Sequence, residues 1–275
     1  MRIVDSHLHL IYPDKFTYPW LGSAPPLNRK WDFASYWQEA SALGIESAVH
    51  MEVDVVVPQM EDETRFVLGL DPHVAGAVCN SRPEQLDFPE HLERIVANPG
   101  IKGIRRLLQS DPDDLSRGDV FRNNLRRLTP FGLTFDITVR PAQLGVAHEL
   151  AAACPDVQFV LDHCGNPPIA GGDLGDWRMQ IAALAELPNV VAKVSGLVNH
   201  APPDYTTDHL RPVFDHMIDT FGWTRLMWGS DRPVLTLNGT LTKWLQCAQK
   251  IVASASADEQ ASLFHRTVER VYRLK

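Results

Sequence analysis

Residues 5 to 9 read Asp5-Ser6-His7-Leu8-His9, directly after the apolar pair Ile3-Val4. Side chains in a strand alternate faces, so His7 and His9 project to one side while Leu8 and Leu10 pack on the other. Two same-face imidazoles can hold a metal ion or polarise a carbonyl. Their candidate partners lie far downstream: His163 in Leu161-Asp162-His163-Cys164-Gly165, and Asp231 in Trp228-Gly229-Ser230-Asp231. Three imidazoles and a carboxylate are the donors that borderline divalent ions such as zinc prefer. Without a metal the same set still has chemistry, with Asp231 as a base toward water and the histidines and an arginine as donors to a developing oxyanion. Any one of these histidines alone would read as a hydrogen-bonded core residue. Four such groups at matching strand ends read as a site.

Only a closed fold brings those positions together. Strand-like runs lie at Arg2–His9, Ser47–Val53, Val74–Cys79, Ile101–Leu107, Thr134–Val139, Gln158–His163, Val190–Ser195 and Arg225–Gly229. Helical periodicity fills the gaps, at Phe33–Leu43, Glu61–Leu70, Pro89–Ala97, Val120–Leu128, Ala142–Ala153, Trp177–Leu187, Leu210–Phe221 and Leu241–Ala253, with a last helix near Asp258–Tyr272. Regular alternation implies parallel strands, and continuous apolar runs such as Phe159-Val160-Leu161 fit a sheet covered on both faces. Eight such units predict an α/β fold, a single (β/α)8 TIM barrel spanning residues 1–275, with its active site at the C-terminal strand ends. The exception to the alternation is Tyr12–Lys30, too rich in proline for a helix and read as a long loop whose Trp20 folds over the pocket or packs on its rim.

Composition narrows the partners. The chain has 275 residues, 44% hydrophobic and 22% charged, and a net charge of −8, which argues against nucleic acid or an anionic membrane surface. No stretch has the roughly 20 apolar residues of a membrane span and no signal-peptide core precedes the first strand, so a cytoplasmic location is the expectation. Cys79, Cys154, Cys164 and Cys247 form no Cys-x-x-Cys pair and read as reduced, buried residues. His73, His91, His148, His216 and His265 fall on loops or helices and are read as surface residues.

Longer stretches of the chain resemble the amidohydrolase superfamily, in its amidohydrolase-2 branch that includes sugar lactonases. The matching text is Asp5-Ser6-His7-Leu8-His9, Tyr18-Pro19-Trp20, Asp62-Glu63-Thr64, Gly103-Ile104-Arg105-Arg106 with Gln109, and Phe135-Asp136. It continues through Phe159 to Gly165, Lys193-Val194-Ser195-Gly196-Leu197, and Arg225 to Asp231 with Pro233-Val234. The resemblance implies hydrolysis of the ring ester of a sugar-acid lactone. Departures stand at Asn166, Arg232 and His50, where the family commonly carries Lys, Trp and Gln. No lysine ends the fourth strand, since Lys102 lies at its start, so a carbamylated-lysine binuclear centre is not expected.

Lactone hydrolysis assigns roles to these residues. Asp231 is the base that becomes the acid; His7, His9 and His163 hold the carbonyl oxygen, and Arg105 adds charge. One divalent ion, zinc or manganese, would be held by His7, His9, His163 and Asp231; members of the branch also work without one, and both readings stay open. His50, Glu52, Arg106, Asp136, Arg140, His200 and Trp20 are the candidate substrate contacts, each alternatively a support for its neighbours. Arg105, Arg106, Arg140 and Arg232 together raise an acidic lactone, of aldarate or pyrone-dicarboxylate type, as an alternative. A metal-dependent decarboxylase of the same superfamily is the other, and a barrel that only binds a sugar acid is a third reading. A small-molecule lactone is the expected partner, with a homo-oligomer as the expected assembly state left open.

Overall fold

A computed structural model describes residues 2–275. Eight strands, β1 (Ile3–Leu8), β2 (Ile45–Met51), β3 (Val74–Asn80), β4 (Ile101–Leu107), β5 (Thr134–Thr138), β6 (Gln158–Leu161), β7 (Val190–Val194) and β8 (Leu226–Trp228), pair in chain order, every pair parallel. Between them run α1 (Phe33–Ala42), α2 (Met60–Leu68), α3 (Phe88–Val96), α4 (Asp119–Arg126), α5 (Leu144–Ala153), α6 (Gly175–Ala185) and α7 (Thr207–Phe221); α8 (Leu241–Ile251) follows β8. The architecture is a (β/α)8 barrel. Among the described residues, no helix is long and apolar enough to cross a membrane.

The seam between β8 and β1 is closed by hydrogen bonds at the strand ends and by the Asp5 side chain. Asp231 N donates to His7 O and His9 N to Arg232 O, both at 2.8 Å. Asp5 Oδ1 accepts from Ser230 N (2.8 Å) and His7 N (3.1 Å), while Oδ2 accepts from the Tyr36 hydroxyl (2.9 Å). Asp5 therefore spends its acceptors on the seam, and the two chemically loaded segments meet there.

The core has two layers. Leu8, Ile104, Phe135, Phe159, Leu161 and Trp228 face the helices, whereas Val4, Val49, Met51, Val78, Val160, Val191 and Met227 fill the barrel interior. The barrel floor is stopped by Val268, Val271 and Tyr272 of the C-terminal segment. That segment is α9 (Ala257–Ala261), a π-turn over Ser262–Arg266, and α10 (Thr267–Val271), rather than one continuous helix.

Three local departures from the expected pattern shape the site. Val4 faces inward, so strict alternation would turn Leu8 inward and His7 out. A register shift between Asp5 and Leu8 inserts one extra residue, and Leu8 goes to the helix layer while His7 and His9 go to the centre. β6 and β8 stop at Leu161 and Trp228, earlier than their apolar patterns suggest, because His163, Cys164 and Asp231 take left-handed backbone. The Tyr12–Lys30 segment is not structureless: Leu21, Leu27 and Trp31 pack with Ile11, Val53, Val55 and Met60 in a small core of their own.

Candidate active site

His7, His9, His163 and Asp231 converge at the C-terminal mouth of the barrel. The Nε2 atoms of His7 and His9 are 3.1 Å apart. Asp231 Oδ1 lies 3.8 Å from Nε2 of His7, 3.6 Å from that of His9 and 4.0 Å from that of His163. All four residues are buried, and Asp231 Oδ1 has no hydrogen-bond partner among the described residues. Asp231 Oδ2 accepts from Asn199 Nδ2 at 3.2 Å.

Hydrogen bonds from below fix how the rings present themselves. His9 Nδ1 is 2.9 Å from Met51 O; a carbonyl only accepts, so Nδ1 carries the proton and Nε2 offers a lone pair. His7 Nδ1 lies 3.3 Å from both Asp162 Oδ1 and Lys193 Nζ: accepting from the ammonium leaves the ring proton on Nε2, facing His9, whereas donating to the carboxylate frees Nε2. His163 Nδ1 meets Ser195 Oγ at 2.9 Å. Burial lowers all three imidazoles well below their ordinary range, His163 to about 3, so the rings are neutral. Burial drives the Asp231 carboxyl the other way, well above the ordinary carboxylate range, against an opposing pull from Arg105.

This donor set fits a divalent ion. The Nε2 atoms of His7 and His9, 3.1 Å apart, stand beside a buried carboxylate oxygen that has no partner, and a cation there would give that oxygen its missing partner and draw a lone pair from each ring. Zinc–nitrogen bonds of about 2.0–2.1 Å in a tetrahedron put neighbouring ligand atoms about 3.4 Å apart, close to the separations around Asp231 Oδ1. His7, His9 and Asp231 form one potential ligand triad, and His7, Asp162 and His163 form a second that shares His7.

The cluster lies at the wall of a cavity of about 510 Å³, lined also by Trp20, Asp54, Arg105, Gln109, Arg140, Asn166, Asn199 and His200. Six non-glycine residues have left-handed backbone, and four of them, Asp54 (φ 48°), His163 (54°), Asn166 (57°) and Asp231 (59°), line this cavity. Strained backbone of this kind concentrates at functional sites. Glycines make room for the rings: a Cβ on Gly196 would stand 2.6 Å from His163 Nδ1, and one on Gly229 would stand 2.8 Å from His7 Cβ.

The expected substrate contacts divide. Trp20, Arg140 and His200 line the cavity, with Trp20 Nε1 bonded to Val53 O and His200 Nε2 donating to Asn166 Oδ1 at 3.0 Å. His50, Glu52, Arg106 and Asp136 do not. His50 is sealed in the wall beneath, with burial lowering its imidazole to about 3. Glu52 holds Arg105, accepting from Nε at 2.6 Å on Oε1 and from Nη2 at 2.8 Å on its backbone carbonyl. Arg106 points outward to Glu84 and Asp111, because it sits one residue out of phase with Arg105 on β4. Asp136 lies deep in the barrel, 2.6 Å from Lys193 Nζ and capped by the Tyr272 hydroxyl. Arg105 does line the cavity, with its guanidinium tied to Glu52 and, at 3.2 Å, to Asp162. His91, expected on the surface, is buried between Ser81 and Glu61.

The sequence reading gave no role to Asp162, Lys193, Asn199 or Asp54. Lys193 did carry a signal, being a lone charge in the apolar run Val190-Val191-Ala192-Lys193-Val194 of a doubly covered strand. Asn199 and Asp54 sit in loops just past strand ends, where spacing gives no periodic cue.

The chain matches the model of the amidohydrolase family over residues 4–274. It is 31% identical over 291 residues to an L-fucono-1,5-lactonase of Burkholderia multivorans, with 98% of this chain and 96% of that protein covered. A second L-fucono-1,5-lactonase, from Burkholderia ambifaria, is 31% identical over 245 residues, covering 86% and 84%. A crystal structure of an amidohydrolase from Burkholderia multivorans with bound zinc superposes with a TM-score of 0.91 at 27% identity, covering all of both chains.

Proposed function

Because the chain belongs to the amidohydrolase family, we propose that it hydrolyses the ring ester of a neutral sugar-acid lactone. The observation that carries this reading is the convergence of Asp231 Oδ1 with three neutral imidazoles in a cavity lined by two arginines, one of which, Arg105, is tied to Glu52 and Asp162. The resemblance to two L-fucono-1,5-lactonases supports it.

In this account Asp231 acts in its ionised form, which Arg105 favours against burial: water attacks the lactone carbonyl carbon while Asp231 takes its proton, and the ring carbon–oxygen bond then breaks as Asp231 returns that proton to the leaving ring oxygen. Asn199 holds Asp231 Oδ2 and so aims Oδ1 at the imidazoles. Asp162 and Ser195 hold the His7 and His163 rings, and Met51 O holds His9. A divalent ion held by His7, His9, His163 and Asp231 would polarise the carbonyl and acidify water.

The arginines speak against a carboxylate-bearing lactone. Arg105 is neutralised by Glu52 and Asp162, Arg106 by Glu84 and Asp111 away from the cavity, and Arg232 lies against Trp31 and Tyr36 with Glu39 at 3.6 Å. Arg140, exposed, with Nε on Gln143 Oε1 at 3.2 Å and Nη2 3.9 Å from Asp113, is the one remaining fork at the cavity among the described residues. One fork is too few for a dicarboxylate.

The test is acid release at near-neutral pH from neutral aldonolactones and from carboxylate-bearing lactones, using native and chelator-treated protein. Turnover of the neutral class is expected. Silence on every lactone with CO2 release from an aromatic or enoic acid would replace this reading with the decarboxylase. Activity lost on chelation and restored by zinc or manganese would make the four residues metal ligands, and activity that survives would make them a metal-independent site.

A further inference from the structure

Asp54 is the one carboxylate other than Asp231 that lines the cavity. It is held from two sides. Its backbone N–H donates to Glu52 Oε2 at 2.7 Å, and the other Glu52 oxygen takes the Arg105 Nε, so Asp54 is coupled to an arginine of the cavity wall. Its Oδ1 accepts from Asn80 Nδ2 and from Arg82 Nη2, each at 3.3 Å. Arg82 is pinned in turn by Asn80 Oδ1 and Ser81 O. The other oxygen, Oδ2, has no protein partner among the described residues, and the side chain is 40% exposed.

A simple turn aspartate would not need this bracing. Its backbone is left-handed at φ 48°, shared with His163, Asn166 and Asp231, and the buried chain Arg105–Glu52 fixes it. The result is a carboxylate oriented by two donors on one oxygen and by its own braced backbone, with the other oxygen left to accept. A hydroxyl group is the ligand that matches, since it donates to a carboxylate, and two adjacent hydroxyls can share one. A ligand carboxylate is repelled by the same group.

We propose that Asp54 is the hydroxyl-reading residue of this cavity: it accepts a hydroxyl of a neutral polyhydroxylated ligand and excludes ligands with a carboxylate at that end. This deepens the lactone reading above and rests on it for the class of ligand. Asp54 acts in specificity and stands apart from the bond-breaking groups.

The experiment uses sugar 1,5-lactams, whose ring amide resists hydrolysis, so binding is read without turnover. Calorimetry compares the fully hydroxylated lactam with a set each lacking one hydroxyl, on wild type, D54N and D54G. Asn and Gly both tolerate left-handed backbone, so neither variant threatens the fold there. In wild type, removing one particular hydroxyl is expected to weaken binding about 10- to 100-fold, the scale of a hydrogen bond to a charged group. In D54G the full lactam is weakened by a similar factor, and removing that hydroxyl then changes nothing further. D54N is expected to improve binding of a carboxylate-bearing lactam relative to the neutral one by about tenfold, as a like charge is lost.

A D54G protein that binds the full lactam as wild type does, or that keeps the wild-type pattern across the deoxy set, overturns the proposal. So does a wild type that binds none of the lactams. Asp54-dependent lactam binding by a protein that hydrolyses no lactone would uphold this inference and overturn the lactonase reading alone.

Discussion

The barrel interior holds two buried polar clusters, one above the other, and they are built on opposite terms. In the lower one, Lys193 Nζ sits 2.6 Å from Asp136 Oδ2 and 3.0 Å from Asp162 Oδ1, while Tyr272 and Thr134 donate to Asp136. Cation and anions meet at bonding distance. In the upper one, neutral imidazoles and a carboxylate oxygen face each other across 3.1 to 4.0 Å, and Asp231 Oδ1 has no hydrogen-bond partner. Asp162 joins the two, accepting from Thr138 and Arg105 beside its contacts with Lys193 and His7. Lys193, then His7 and Arg105, hold the Asp162 carboxyl well below its usual range although burial pulls it up. Side by side, the clusters show that burial of charge does not by itself mark a site. Several titratable groups converging at a cavity wall, one of them without a partner, mark it.

The comparison can be broken from below first. Lys193→Met would strand Asp136 and Asp162 in the barrel without their cation, and stability is expected to fall by about 3–5 kcal/mol in urea unfolding. A midpoint equal to that of wild type would show that the lower cluster braces nothing.

Gly196→Ala attacks the upper cluster through geometry alone. Gly196 has φ +66°, and its added Cβ would push on the His163 ring from 2.6 Å. Turnover is expected to drop about 100-fold, as for a roughly 1 Å misplacement of a working group. Unchanged turnover would mean that the position of His163 is not critical.

A smaller effect comes from Glu63, buried near Glu52 and outside both clusters. Burial, then the nearby Glu52, raises its carboxyl well above the ordinary range. A raised acid is neutral in the native state, so its contribution is fully present below the unfolded value, near 4.5, and is lost as pH rises toward the folded value. Glu63→Gln is therefore expected to gain on wild type as pH rises, by at most about 1.4 kcal/mol per unit. Parallel urea midpoints for the two proteins at pH 5 and pH 8 would remove that linkage.

Much of this arrangement was legible in the residues and part of it was not. The eight βα units showed in their apolar runs, and the placement of His7, His9, His163 and Asp231 at strand ends followed from them. The bulge in β1 was hidden, because alternation predicts the same shared face for His7 and His9 whether or not the strand slips by one. Arg106 and Asp136 misled for a common reason: ending a strand does not say which way a side chain points, and one residue of phase sends Arg106 out while Asp136 points in below the site. Asp162 stood in the quoted motif, but its work is to join four partners from four other strands, which no local pattern records. The left-handed turns at His163 and Asp231 are likewise set by tertiary closure.

The decisive measurement pairs turnover with unfolding in Asp231→Asn. The amide keeps the shape and the seam bond from residue 231 N to His7 O while removing the base and a charge that burial disfavours. Lactone turnover is expected to fall by at least about 100-fold, the scale of general base catalysis, with the urea midpoint unchanged or raised. Near-normal turnover in a folded Asp231→Asn protein would contradict the account and take Asp231 out of the mechanism.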